Sequence, residues 1–460
     1  MREILGRRVA RAVVAVITAV LVVATPGTAA ADAPVPPPPD PAALARLDPD
    51  PRPLPGVSAR VACVRSAGGG DAAIPGAPWG QQRLRFTDAW RFTRGAGQTV
   101  AVIDTGVSRH PRLAGRLVDG GDFVGTQDGL TDCDGHGTLV AGIIAAAPEQ
   151  STGFVGVAPD ARVLSIRQSS GTVRTTAPDG STTDGGGNVD TLAEAILRAT
   201  SLGATVINIS EAACVPAADA ARGLASLRAA VRAAVDANVV VVAAAGNAGS
   251  GACVQAADGE SPGQVVAPAW FGDDVLSVGY TRRDGLPAPQ SIRGPWVSLA
   301  APGSEIVSLD PAGPGLVDTI TPIGAGRPIP IEGTSFAAPY VSGVVALVRA
   351  RYPGLDARQV MARVTSSADR GNQAGGRDDA VGAGTVDPVS AVADVRPDEF
   401  TGPGPASVSP AGAGRVDLTD GRDAHSGSRT VALVGSAAAM ALLGGAGLIV
   451  LVARRARRSR

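Results

Sequence analysis

Five short, unbroken apolar runs set between helical segments most narrow what this chain can fold into. They are T-V-A-V-I-D (99–104), A-R-V-L-S-I-R (161–167), A-T-V-I-N-I-S (204–210), N-V-V-V-V-A-A-A-G-N (238–247) and D-V-L-S-V-G-Y (274–280). None shows the polar alternation of a strand with one wet face, so each reads as a strand covered on both sides. Between them, Asp190 to Ser201 carries Leu192, Ala195, Ile196 and Ala199 on one helical face, and Leu224 to Ala237 reads as a second helix. Further helices are expected to open at His136 and at Ser335. Alternating strands and helices of this kind predict an α/β fold, a parallel sheet with helices on both faces. The 460 residues suffice for one large domain or two ordinary ones, and 45% apolar residues supply a sizeable core.

The two ends read as membrane signals. Residues 1–31 have a basic start (Arg2, Arg7, Arg8, Arg11), an apolar run from Ala12 to Ala24 and small residues before Ala31, the pattern of a secretory leader. Residues 431–453 include an uncharged run, Val431 to Val452, that would give about 33 Å of helix, enough to cross a hydrocarbon core. Five arginines crowd the tail at 454–460, and basic flanks stay cytoplasmic. The expected topology is single-pass at the cell membrane, with the bulk of the chain outside. Residues 32–78 are proline-rich and expected to be extended: a spacer, a pro-segment or an arm laid over the domain. The globular domain spans 79–395, and 396–430 is a linker. Residues 168–189 read as a long, mobile polar loop. A net charge of −1 argues against nucleic acid as a partner.

Three residues stand at strand ends or helix starts, where α/β proteins build sites. Asp104 ends a strand in V-I-D-T-G, His136 opens a helix in D-G-H-G-T, and Ser335 opens another in E-G-T-S-F-A-A-P. A serine hydroxyl needs a base, imidazole is the base suited to neutral pH, and a carboxylate orients and stabilises the imidazolium. Asn247, just past a strand end, offers an amide for an oxyanion, and the Ser335 N–H offers a second donor. Pro339 lies close enough to its helix start for a missing N–H to be cheap. Of the other two histidines, His110 reads as a solvated turn residue and His425 lies in the linker.

V-A-V-I-D-T-G-V, H-G-T-L-V-A-G and G-T-S-F-A-A-P resemble the Asp, His and Ser signatures of the subtilases, in that family's chain order. The resemblance covers roughly residues 79–395. It implies a subtilisin-like serine endopeptidase with Asp104, His136 and Ser335 as triad, Asn247 in the oxyanion hole, and Ser210, Glu211 and Gly246 facing a protein or peptide substrate. The flanking segments are similar to those of the mycosins, membrane-anchored subtilases of type VII secretion. That implies a place at a secretion membrane complex, with an arm that wraps the domain rather than inhibiting it. A structural role in that complex, with proteolysis dispensable or gated, is the alternative. The family commonly has Ser-Leu-Gly where this chain has Ser210, Glu211 and Ala212. Glu211 is expected either to line a subsite and favour a basic or polar side chain, or to be a solvated strand-end residue.

Cys63, Cys133, Cys214 and Cys253 make an even count in an exported chain, which favours two disulfides. Cys214 and Cys253 each follow a strand of one βαβ unit. If those strands are neighbours, they lie about 5 Å apart and the pair is reachable. Cys63–Cys133 then remains, pinning the arm beside His136. The rival, a zinc site from Cys133, Asp134 and His136, lacks any C-x-x-C support. No loop has an acidic spacing that demands calcium, and no metal or cofactor is expected.

Overall fold

β-branched and small apolar residues fill the strands, and their burial is continuous rather than alternating: Val100 to Ile103 and Val240 to Ala243 are fully buried. The computed structural model describes residues 34–64, 74–256, 263–321, 327–371 and 377–393. The chain divides into Met1–Pro397 and Asp398–Arg460, and all described residues belong to the first unit. The expected leader, the whole linker segment with His425, the apolar C-terminal run and the basic tail lie outside the described residues. Among the described residues no helix is long and apolar enough to cross a membrane.

The longer strands in chain order are β1 (Val57–Ala59), β2 (Thr99–Asp104), β3 (Leu117–Asp122), β4 (Arg162–Arg167), β5 (Ser170–Thr176), β6 (Thr182–Gly186), β7 (Val206–Ile209), β8 (Ala213–Pro216), β9 (Val240–Ala244), β10 (Gln264–Ala267), β11 (Leu276–Thr281) and β12 (Leu299–Pro302). Seven form one sheet in the order β12-β11-β9-β7-β2-β4-β3. Every pairing in it is parallel. From β2 the chain passes to the edge strand β3 and returns to β4 beside β2, then crosses to β7 and builds outward on the other side through β9, β11 and β12. The crevice at the carboxyl ends of β2 and β7 is therefore a topological switch point. Asp104 is the last residue of β2, and Ser210 follows β7 directly.

Two helix pairs pack with this sheet. His136–Ala145 lies against Thr334–Arg351, and Val189–Ser201 lies against Ala225–Asp236. Asn188 and Thr191 close a capping box on the third of these. A short helix, Ala217–Gly223, precedes Ala225–Asp236 and has too few residues for a periodic signal.

Two expectations change. The stretch from 168 to 189 is a hairpin, not a loop: β5 pairs antiparallel with β6, and β5 also takes β1 of the arm, Ser58 opposite Arg174. Its threonines are strand formers, and Asp179 closes the intervening P-D-G turn by accepting from Ser181. The proline-rich arm is not simply extended. It contains the short helix Pro41–Leu44, capped by Asp40, and the strand β1. It lies over the domain, the third of the three possibilities for it. Trp270 donates to the carbonyl of Pro34 (2.6 Å), Arg52 pairs with Glu194 (2.6 Å), and the Leu54 N–H reaches the Val124 carbonyl (3.1 Å).

Both disulfides are Cys63–Cys133 and Cys214–Cys253. β7 and β9 are indeed neighbours, which brings the second pair together. The first links positions 70 residues apart, the second 39. Replacing Cys63 and Cys133 together by serine should lower unfolding stability by roughly 2–5 kcal/mol. The loss should exceed that of the Cys214/Cys253 double substitution, because a longer loop is released. Denaturant midpoints of the three proteins check this.

Candidate active site

Asp104 sits fully buried at the end of β2. Its Oδ1 accepts from the Thr105 N–H (2.8 Å) and pairs with His136 Nδ1 (2.7 Å). Its Oδ2 has no hydrogen-bond partner among the described residues, so the imidazole is the main group answering this charge. Bonding at Nδ1 leaves Nε2 as the ring's outward nitrogen. The glycine after the histidine allows this closeness. A β-carbon on Gly137 would fall 2.0 Å from the Gly106 carbonyl oxygen and 3.2 Å from Asp104 Cβ.

A second buried carboxylate, Asp132, holds the two segments in register. It accepts from Thr105 Oγ1 (2.8 Å), from the Gly135 and Thr138 N–H groups (2.7 and 2.8 Å) and from Thr138 Oγ1 (2.6 Å). It thus caps the histidine helix and clamps the residue after Asp104. Burial pushes its carboxyl up to about 6, against those hydrogen bonds. Sequence reasoning passed over Asp132; its place four residues before His136, at a helix start, was the available signal. Burial pulls the His136 imidazole down. The charge and hydrogen bond of Asp104, with Glu211 and Asp132 behind them, outweigh that and lift it to about 9. The side chain is one-quarter exposed, so one edge of the ring opens to the cleft.

Ser335 is the second residue of its helix, and the ring of the next residue, Phe336, lies 5.1 Å from that of His136. Pro339 is not in the first turn but inside the helix. Its missing N–H is the one that would have served the carbonyl four residues back, which is Ser335's own. Ser210 supplies the replacement: its Oγ donates to the Ser335 carbonyl at 2.7 Å. Ser210 Oγ in turn accepts from Asn208 Nδ2 (2.9 Å), and Ser342 Oγ donates to Asn208 Oδ1 (2.8 Å). The side chain of Ser210, expected to face substrate, instead fixes the backbone of Ser335.

Asn247 lies beyond β9. Its Oδ1 accepts from the Thr334 N–H (3.0 Å) and Thr334 Oγ1 (3.2 Å), which uses the oxygen and leaves Nδ2 as the donor end. Gly333, at φ 141°, clears that end; a β-carbon there would stand 3.2 Å from Nδ2. Gly246 donates to Thr334 Oγ1 (3.2 Å) and accepts from the Ile292 N–H (3.0 Å), so its backbone braces Asn247 from within.

Glu211, after Ser210, accepts a hydrogen bond from Ser169 Oγ. Asp134 accepts from Gly171 N–H (2.7 Å) and Ser170 Oγ (2.6 Å), tying the histidine loop to the start of the hairpin. The arm arrives at the same loop, where the Val64 N–H donates to the Cys133 carbonyl (2.9 Å) beside the Cys63–Cys133 bond. Val64, Gly135, His136, Leu139, Pro311 and Ile320 line a small cavity next to the imidazole. With Cys133 in a disulfide, the zinc alternative loses a ligand. Among the described residues no cluster of His, Cys, Asp and Glu could hold a metal. His110 is buried rather than solvated. It caps a turn of 3₁₀ helix by accepting from the Arg112 N–H (3.1 Å), with Nε2 3.2 Å from the Gly315 carbonyl oxygen.

The subtilase family profile matches residues 95–384. Mycosin-4 of Mycobacterium tuberculosis is 51% identical over 336 residues, covering 72% of this chain and 71% of that protein. The chain belongs to the subtilases, and within them to the mycosins. Mycosin-3 of the same organism is 43% identical over 403 residues, covering 83% and 85%. The solved structure of MycP1, a serine protease described as an essential component of the type VII (ESX-1) secretion system, is 40% identical with a TM-score of 0.69, covering 78% of this chain and 99% of that one. A chain in an intact ESX-5 inner membrane complex is 37% identical with a TM-score of 0.69, covering 87% and 98%. The fold is therefore subtilisin-like and the protein a subtilase-family serine protease.

Two outcomes follow for this mycosin-type site. Ser210→Ala should lower kcat/KM about 10-fold through the orphaned Ser335 carbonyl. In a Pro339→Ala background, which restores the helical N–H, the same change should cost under about 2-fold; the double-mutant cycle reads the coupling. The acid limb of the pH profile should also sit high. A proton-accepting His136 must be neutral, its affinity for the proton is raised, and activity should climb with pH through the alkaline range. Glu211→Gln removes one of the negative charges responsible, alongside Asp104 and Asp132, so the limb should move to lower pH.

Proposed function

We propose that the protein is a membrane-anchored, extracytoplasmic serine endopeptidase using Asp104, His136 and Ser335 as its triad. The 2.7 Å Asp104–His136 pair, beside the start of the serine helix, carries the reading. In the reaction, His136 Nε2 takes the Ser335 hydroxyl proton as Oγ attacks the substrate carbonyl. Asp104 holds the imidazole by Nδ1 and balances the charge it gains. Asn247 Nδ2 and the Ser335 N–H receive the oxyanion, the second with the positive end of a helix behind it. The imidazolium then returns the proton to the leaving amine, and water repeats the cycle on the acyl-enzyme. Glu211 and the backbone around Ser210 and Gly246 form the substrate-facing wall.

The apolar run at 431–453 and its arginines support a single membrane anchor with a cytoplasmic tail, and the leader at 1–31 supports export. Likeness to chains of the ESX-5 inner membrane complex supports a place in a type VII secretion membrane complex. The same likeness favours a second reading, in which the domain is a structural subunit and proteolysis is dispensable or gated. Secretion lost on full deletion but kept with Ser335→Ala would favour that second role; loss in both would favour the protease. A serine-directed fluorophosphonate should label the wild-type protein and not Ser335→Ala, and absence of labelling would sink the enzyme reading. Asn247→Ala should lower kcat by about 10²–10³-fold, and unchanged turnover would mean the oxyanion donor is misassigned.

A further inference from the structure

The acid Glu211 stands at the carboxyl edge of the sheet, one residue beyond the serine that holds Ser335 in place. It is half-buried, and among the described residues it accepts a hydrogen bond from Ser169 Oγ, at the end of the strand next but one. The charged groups that act on it are Asp104 from β2, Asp134 and His136 from the histidine loop and helix. Two of these three are acids. The third, His136, is already engaged by Asp104 at 2.7 Å. No arginine is among them, although this chain carries 41.

Three other partly or fully buried acids are answered by arginine. Asp122 has Arg167 at 2.9 Å, Asp274 has Arg228 at 2.5 Å and Arg358 at 2.6 Å, and Glu194 has Arg52 at 2.6 Å. Asp132 lacks a cation but is satisfied by four donors. Among the described residues Glu211 has neither arrangement. Taking a carboxylate out of water beside two others is costly unless a cation answers it. Burial first, then Asp104, pushes its carboxyl up to about 7, while Ser169 and His136 pull it back. Among the described residues the cleft therefore has an acidic wall without a cation to answer it.

We infer that Glu211 is a specificity-determining residue that selects peptide substrates with a cationic side chain, arginine above lysine, in the subsite between Ser169 and His136. A guanidinium presents two parallel N–H groups to a carboxylate, and a charge-assisted pair in a partly desolvated cleft is worth more than a neutral one. This deepens the protease reading and rests on it.

The test uses the full chain in detergent and matched peptide sets. Each of the three positions before the scissile bond carries arginine, lysine, or the neutral arginine isostere citrulline. The wild type should prefer arginine to citrulline by about 10-fold or more in kcat/KM at one position, the size expected of a charge-assisted hydrogen bond. Glu211→Gln should bring that ratio to within about 2-fold of unity and still label with fluorophosphonate. The ratio is internal to each protein, so a general loss of activity does not move it. Peptide aldehydes bearing arginine or citrulline read the same preference as binding, without turnover. An arginine-to-citrulline ratio that is near one in the wild type, or unchanged in Glu211→Gln, would overturn the inference while leaving the protease reading intact. A wild-type protein that never labels would instead remove the protease reading, and the inference with it.

Discussion

One hydrogen bond organises this molecule, that between a carboxylate with no room to hydrate and the imidazole above it. Asp104 is fully buried because β2 lies in the interior of the sheet, and it reaches the surface of that sheet because strand order reverses there. A buried carboxylate must be answered, and here His136 answers it from a helix whose first turn is pressed onto the β2 loop at a glycine. Asp132 then makes the contact one geometry rather than many. By accepting from Thr105 and from the helix start at once, it couples strand end and helix start through a single side chain. Motion of either segment would strand hydrogen bonds in the interior, where leaving one unmade is expensive.

Ser335 is held by a different device. A proline inside a helix usually weakens it, by about 3 kcal/mol or more, because one carbonyl loses its donor. At this helix the orphan carbonyl belongs to Ser335, and Ser210 on the neighbouring strand takes it. The helical bond that would have tied Ser335 to its own helix is exchanged for one that ties it to the sheet. Asn208 and Ser342 pass that tie back to the same helix about two turns further on. Asn247 does the equivalent at the helix start by accepting from Thr334. Ser335 is thus referenced to β7 and β9 directly, and those strands lie on one side of the β2 that carries Asp104. Serine and acid share one rigid frame.

What could be read in the sequence follows from which signals are local. Five of the seven strands of the parallel sheet, and four of the five helices of ten residues or more among the described residues, were legible because a two-sided strand and an amphipathic helix each write their burial into consecutive residues; β3, β12 and Ala357–Ser366 were not read. The meeting of Asp104 and His136 was legible because glycines near them mark close approaches. Cys214–Cys253 could be argued from a βαβ unit. The hairpin of β5 and β6 was hidden by polar composition, since its threonines look like loop while pairing as strand. The arm's part in that sheet, Ser58 opposite Arg174, joins residues more than a hundred positions apart and leaves no local trace. The burial of His110 is of the same kind, decided by Gly315, a distant partner. The role of Ser210 needed two facts at once, the register of Pro339 against Ser335 and the nearness of β7.

The arm and the acidic wall meet at the histidine loop, and that meeting has a consequence for what the cleft can admit. Asp134 holds the start of the hairpin, the hairpin holds β1, and the disulfide returns the arm to Cys133, one residue before Asp134. The circuit closes on itself within a few residues of His136. A segment bound by a sheet edge, a covalent bond and a main-chain hydrogen bond cannot leave as a displaceable inhibitor would; it is part of the wall. Its Val64 lines the apolar cavity beside the imidazole, while Glu211 and Ser169 make a polar, acidic surface near the same ring. A peptide drawn across His136 therefore meets two chemistries, one lined in part by residues of the arm and the other by the ends of β4 and β7. The Cys63–Cys133 bond thus fixes both the fold of the arm and the shape of the cavity beside the imidazole.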